Sequence, residues 1–160
     1  MTTEEQIVEQ LNASKISYTF FQNEFLFTMG SIECSIRVYA DSTIEYRAYY
    51  PETVSKWLTL ERNELYNVSL LANEVNRYNF FSNTDDPYRN ISRMVLFFEL
   101  DIVDLGFIGY HTSASGVLKH LVELSNYLKE LRPAVEYLLD GTYDAADAIV
   151  FGIKHKLLPE

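Results

Sequence analysis

The stretch SIECSIRVYADSTIEYRAYY, residues 31–50, decides how this chain folds. In its first half Ile32, Cys34, Ile36 and Val38 alternate with Glu33, Ser35, Arg37 and Tyr39. In its second half Ile44, Tyr46, Ala48 and Tyr50 alternate with Glu45, Arg47 and Tyr49. Successive side chains of a strand point to opposite faces, so a period of two predicts two strands with one buried face each. Asp41-Ser42 between them suits a tight turn, because both residue types bond nearby backbone. Pro51, which has no backbone donor, closes the second strand.

On the N-terminal side, SYTFFQNEFLFTM (17–29) is a third strand-like run that bends or splits at Gln22-Asn23, and a three-stranded antiparallel meander results. Before it, Thr3 and Gln6 resemble a capping box, and Ile7 with Leu11 forms a one-sided apolar pair. A short helix is predicted over residues 4–13. After the meander the period changes: Leu65, Val68, Leu71, Ala72, Val75 and Tyr78 share one helical stripe over residues 61–78. SNTDDP (82–87) is a turn signal, and NISRMVLFFELDIVDLG (90–106) is the strongest strand, with Leu96, Phe98, Leu100 and Ile102 on one face. NFF (79–81) is expected to pair with it as a second hairpin.

Residues 112–140 predict a long helix, with Val117, Leu121, Leu124, Leu128 and Leu131 spaced by fours and threes. Thr112, Ser113 or Ser115 is the expected cap, Pro133 is expected to kink the helix or start another, and Gly141 suits a C-terminal cap. The tail, 142–160, is expected to be an amphipathic helix that docks on the rest. The order is α-β-β-β-α-β-β-α with a helical tail: an α+β fold in a single domain over 1–160, its antiparallel sheet packed against helices.

Hydrophobic residues at 48% and charged residues at 22% are ordinary globular usage, which argues against disorder. Thirteen basic against 23 acidic residues leave a net charge of −10, so nucleic acid is disfavoured as a partner. Cys34 is alone, Met1 is followed by polar TTEEQ, and no apolar run reaches membrane-spanning length. The expected place is the cytoplasm, with no membrane partner.

LLANEVNRYNFF (70–81) puts Asn73, Asn76 and Asn79 at every third position near the end of a predicted helix, where asparagine is a mediocre former. Followed by SNTDDP and RMVLFFELDI, this junction resembles the YbjN family, whose fold is like that of type III secretion chaperones. GVLKHLVELSNYLKELRPAVEYLL (116–139) is similar to the family's closing helix, and the resemblance spans about residues 4–140. Asn73 and Asn76 share one helix edge, and Asn79 falls where the helix stops. Asparagines there end the helix and tie it to the next strand.

A search for chemistry finds little. His111, His120 and His155 have no metal-ligand spacing, and Cys34 alternates with Ile32 and Ile36 as a small core residue does. Asp85-Asp86 and the Asp101, Asp104 pair match no calcium-loop spacing. Gly106 and Gly109 match no phosphate-loop pattern and are expected to let the chain turn before Thr112. No enzyme and no cofactor are expected, though Cys34 gathered with His111 or His120 in one cleft would reopen the question.

What remains is surface. Tyr39, Glu45, Arg47 and Tyr49 fall on the opposite face of the meander from Ile36, Val38, Ile44 and Tyr46, and they mix rings with charges as interfaces do. The expectation is a non-catalytic protein-binding, chaperone-like or regulatory module, a homodimer that also takes a partner segment. The resemblance implies that such segments lie over the sheet or along a dimer surface. The alternative is a small-ligand sensory domain whose tyrosines line a pocket between the sheet and the long helix.

Overall fold

The computed structural model describes residues 1–51, 62–77, 92–99 and 102–160. Along them run α1 (Thr3–Ala13), β1 (Thr19–Phe21), β2 (Glu24–Met29), β3 (Ile32–Val38), β4 (Ile44–Tyr49), α2 (Arg62–Arg77), β5 (Ser92–Glu99), β6 (Ile102–His111), α3 (Val117–Leu139) and α4 (Ala145–Lys154). The strands make one antiparallel sheet in the order β1-β2-β3-β4-β6-β5. The α+β class, the antiparallel sheet and the helical C-terminus are as the sequence predicts.

The alternating runs behave as their period requires. Ile32, Cys34 and Ile36 of β3 and Ile44, Tyr46 and Ala48 of β4 are buried on one face. Gln22 and Asn23 both take positive φ, 52° and 64°, which is the two-residue hairpin turn that suits strand twist. The run 17–29 therefore splits, and the meander has four strands. At the next turn Ser42 takes φ 70°, and the Asp41 carboxylate accepts the Thr43 N–H at 2.9 Å.

A hairpin forms within the run that the sequence predicts as a single strand. The run 90–106 folds back on itself, so that β5 pairs with β6 and Glu99 lies opposite Ile102. The single face predicted through Leu96, Phe98 and Ile102 does not hold: the buried positions are even-numbered in β5 (Ser92, Met94) and odd-numbered in β6 (Val103, Leu105, Phe107), and Phe98 is exposed. Residues 79–81 with Asn79, the turn 82–87, Leu100 and Asp101 lie outside the described residues. Gly106 and Gly109 are not a turn before Thr112; they sit within β6, where neighbouring strands leave no room for a side chain.

The helix ends also differ. The α1 capping box uses Thr2 and Glu5, not Thr3 and Gln6: Thr2 Oγ1 accepts the Glu5 N–H at 3.1 Å, and Glu5 Oε2 accepts the Thr2 N–H at 3.0 Å. A carboxylate in the first turn also suits the positive end of the helix. Neither Thr112, Ser113 nor Ser115 caps α3; Gly116 in a left-handed conformation precedes it without a side-chain cap. Ser113 accepts the Ser115 N–H instead, at 3.3 Å. Pro133 lies inside one unbroken α3. Leu131, Ala134 and Val135 around it are fully buried, and that packing outweighs one lost backbone bond.

The helices gather on the buried face. α3 lies against β3, β4 and β6, α2 against β5, and α4 against α2 and α3. The tail is held down beyond α4, where Leu157 and Leu158 are buried and the Tyr127 hydroxyl donates to the Leu157 carbonyl at 2.8 Å.

Asn76 answers the asparagine question. Its Nδ2 donates to the Met94 carbonyl and its Oδ1 accepts the Met94 N–H, both at 2.7 Å. Among the described strands β5 lies at the edge of the sheet, and the amide satisfies Met94 as a neighbouring strand would. Asn76→Ala is expected to cost about 2 kcal/mol by stranding both backbone groups. Asn76→Asp should cost a comparable amount, since a carboxylate cannot donate to the Met94 carbonyl. Urea denaturation of the two variants checks this; an unchanged midpoint for Asn76→Asp would mean that the carbonyl bond contributes nothing.

Candidate outer-face binding site

The outer face of the sheet is built by the polar half of each alternating run. Register places Glu45 opposite Arg37, Arg47 opposite Ser35, and Tyr49 between Glu33 and Gly106. The described helices pack on the other face. The Tyr39 hydroxyl donates to Glu45 Oε2 at 2.9 Å, and Arg47 holds Glu45 Oε1 through Nε at 3.2 Å and Nη2 at 3.1 Å. Glu45 is buried beneath these partners. The hydrogen bond to Glu45 raises the Tyr39 phenol above its ordinary pKa, because ionising it would set two anions together.

The structure thus brings Tyr39, Glu45 and Arg47 into one bonded network, and Phe97 extends it to Tyr49. The Arg47 guanidinium lies 4.9 Å from the centre of the Phe97 ring, and Tyr49 meets the same ring edge-on at 6.1 Å. Phe97 stands two strands from Tyr49 and reaches across β6, where Gly106 offers no side chain to obstruct it. Tyr110 lies opposite Glu45 across β4 and β6, and burial raises its phenol first, with Glu45 adding to the effect. Phe97 and Tyr110 were not legible as members of this site. They arrive by pairing across 45 or more residues, and no local spacing marks them.

Between these side chains is a cavity of about 210 Å³, lined by Glu24 and Leu26 of β2, Ser35 of β3, Arg47 and Tyr49 of β4, Phe97 of β5 and Asp104 of β6. Burial pushes the Tyr49 phenol well above its ordinary range, and Glu33, Asp104 and Glu24 push it further. Arg37 is neutralised by Glu24 at 3.3 Å, although its Nε is buried without a hydrogen-bond partner.

A second polar cluster lies on the buried face, and the sequence did not reveal it. The Tyr46 hydroxyl and Ser92 Oγ are 2.7 Å apart, and Ser92 Oγ is 2.7 Å from His120 Nε2. His111 at the end of β6 and His120 in the first turn of α3 meet with ring centres 5.8 Å apart. Each is 5.4 Å from the Tyr46 ring. Gly109 makes the room, since a Cβ there would strike the Tyr46 phenol and Ser92. The signal available was the reversal between strand and helix, which returns residue 120 to residue 111. Burial, and then the His120 neighbour, lower His111 to about 4.

Cys34 belongs to a different place. Its Sγ lies 3.6 Å from Ser125 Oγ, and burial raises its thiol to about 11, leaving it protonated at neutral pH. Tyr46 and Tyr50, between sheet and α3, are wholly buried, and the Tyr50 hydroxyl donates to the Leu128 carbonyl at 2.7 Å. Among the described residues, no three or more His, Cys, Asp or Glu side chains gather as metal ligands, and no helix is long and apolar enough to cross a membrane. The chain matches no family model, no curated protein and no solved structure.

Proposed function

We propose that this chain is a non-catalytic protein-binding module of the chaperone-like kind that its resemblance to the YbjN family implies. It acts in the cytoplasm as a homodimer and holds a partner segment on the outer face of its sheet. The observation that carries this reading is the network of Tyr39, Glu45, Arg47, Tyr49 and Phe97, in which aromatic rings and paired charges lie together on the face away from the described helices. Aromatics and arginine are the residues enriched where proteins bind one another. The protonated, buried Cys34, remote in its contacts from the histidine pair, supports the non-catalytic part of the reading.

The test is capture from source lysate by the tagged chain, beside a variant carrying Tyr39→Ser, Arg47→Ser and Tyr49→Ser whose folding is checked by circular dichroism. The expected result is a stoichiometric protein retained by the native chain and lost by the variant. Equal capture by both would move the binding face elsewhere, and nothing above background would remove the reading.

A further inference from the structure

We infer that the free edge of β1 pairs with the β1 of a second copy of this chain, antiparallel about a two-fold axis at Phe20. This rests on the homodimer proposed above and names its interface. β1 ends the order of the described strands, and Thr19, Phe20 and Phe21 are all exposed. Gln22 and Asn23 make a two-residue turn, so Phe21 and Glu24 face each other as a bonded pair, and Phe20 and Phe25 as a non-bonded one. The Phe20 N–H and C=O therefore point away from β2. Among the described residues no other element bonds them.

Pairing between copies satisfies both groups at once. With Phe20 opposite the partner's Phe20, each N–H donates to the other copy's carbonyl, and Thr19 falls opposite the partner's Phe21 on both sides of the axis. Thr19 and Phe21 lie on the outer face, where a β-branched residue beside a ring is a favourable cross-strand pair. Phe20 lies on the helix side, its ring 4.7 Å from that of Phe25. Beside it is a groove of about 570 Å³ between α1 and β1, lined by Val8, Tyr18 and Phe25 among others, which the partner's Phe20 ring shares.

Charge decides where two copies can meet. Each chain carries −10, so acidic faces of two copies repel. ISYTFFQN, residues 16–23, holds no charged residue, no proline and no glycine. Sheet edges that stay single are commonly blunted by lysine, proline or a bulge, and β1 has none of these. In the two-fold register the same uncharged residues serve both sides, and no acidic residue of one β1 faces another. Phe20 and Phe21, 48% and 59% exposed in the single chain, lose apolar surface to the contact. The shortness of β1 keeps that contact small, so the dimer is a reversible one.

The experiment is sedimentation equilibrium of the full chain over a range of concentration and salt, beside Phe20→Pro. Proline removes the N–H at the axis, a donor that the hairpin does not use. A reversible monomer–dimer equilibrium is expected, tightened by salt because screening weakens the repulsion between two acidic chains. Phe20→Pro should weaken it at least about tenfold, the scale of two lost backbone bonds. Phe21→Lys is the second variant should Phe20→Pro misfold, and it should weaken pairing to a similar degree. Cross-linking reads the register: bonded partners lie about 5.5 Å apart at Cα, so Phe20→Cys should form a disulfide dimer under mild oxidation by air. Phe21→Cys, two residues out of register with its own copy, should not, and the buried Cys34 does not compete. A dimer indifferent to Phe20→Pro and not cross-linked by Phe20→Cys would overturn the β1 interface and leave the homodimer standing on another face. A monomer at every concentration would instead remove the homodimer itself. A lysate protein captured by a chain that stays monomeric, and lost with Phe20→Pro, would give the edge to another protein's strand and overturn pairing between copies.

Discussion

Replacing Gly106 with alanine is expected to destabilise the fold by about 3 kcal/mol or more, beyond the usual overpacking range of about 1–3 kcal/mol. A Cβ at Gly106 would meet the Ala48 carbonyl oxygen and the Cα and Cβ of Tyr49. Two of these are backbone atoms of the strand paired with β6, so relief requires the strands to part where Tyr49 opposes Gly106. By contrast, Gly116→Ala places its methyl in open space and meets only the strain of φ +88°, a cost of about 1 kcal/mol. Thermal melts separate the two: Gly106→Ala should melt about 10 °C lower, and Gly116→Ala only a few degrees lower. Similar melting temperatures would show that β4 and β6 yield more readily than close packing predicts. The Gly106 variant should also displace Phe97, so the binding face and the stability fail together.

Acid should act through the buried histidines. His111 falls from 6.5 to about 4 in the folded chain, first because burial disfavours its charged form and then because His120 is beside it. Burial lowers His120 too. With a depressed folded pKa, the unfolded chain binds the proton first, so this stability is present above about pH 6.5 and is lost as pH falls toward about 4. A shift of that size corresponds to at most about 3 kcal/mol from His111. Among the described residues Tyr46, Ser92 and Glu123 face the pair, the Glu123 carboxylate 3.9 Å from His120 Nδ1. Glu123 is 53% exposed, so water weakens its pull and burial prevails. Asp41 and Asp140, held low by their bonds to Thr43 and Thr142, respond only at more acid pH.

The check is urea denaturation at steps between about pH 7 and about pH 4.5, for the native chain and for His111→Phe. His111 Nε2 has no hydrogen-bond partner, so the phenyl ring gives up no bond at that atom. The variant should match the native stability near pH 7 and lose less of it on acidification. Parallel curves would assign the acid response to groups other than His111.

Local pattern told most where it was dense. The alternation of residues 31–50 placed Glu45, Arg47 and Tyr49 on one face correctly, because strand geometry leaves a side chain only two directions. The stripe from Val117 to Leu131 is buried throughout, as its spacing requires. The pattern misled where the buried positions change from even to odd across a reversal, as in 90–106, and where cap chemistry competes between adjacent residues, as at Thr2 and Thr3. Asn76 lay between these cases: its oddity in a helix was visible, but its partner, Met94, stands 18 residues away.

By itself, then, the sequence determined the α+β class, the two faces of the meander and the run of helical stripes. All of these depend on periods of two or near four, and such periods are properties of neighbouring residues. Only the tertiary structure decided that β6 would lie between β4 and β5, and with it the meeting of Phe97 with Arg47 and Tyr49, the cavity at Ser35 and Asp104, and the histidine pair. The reason is physical: register between distant strands is set by how a shared core fills, and no single stretch of chain contains that information.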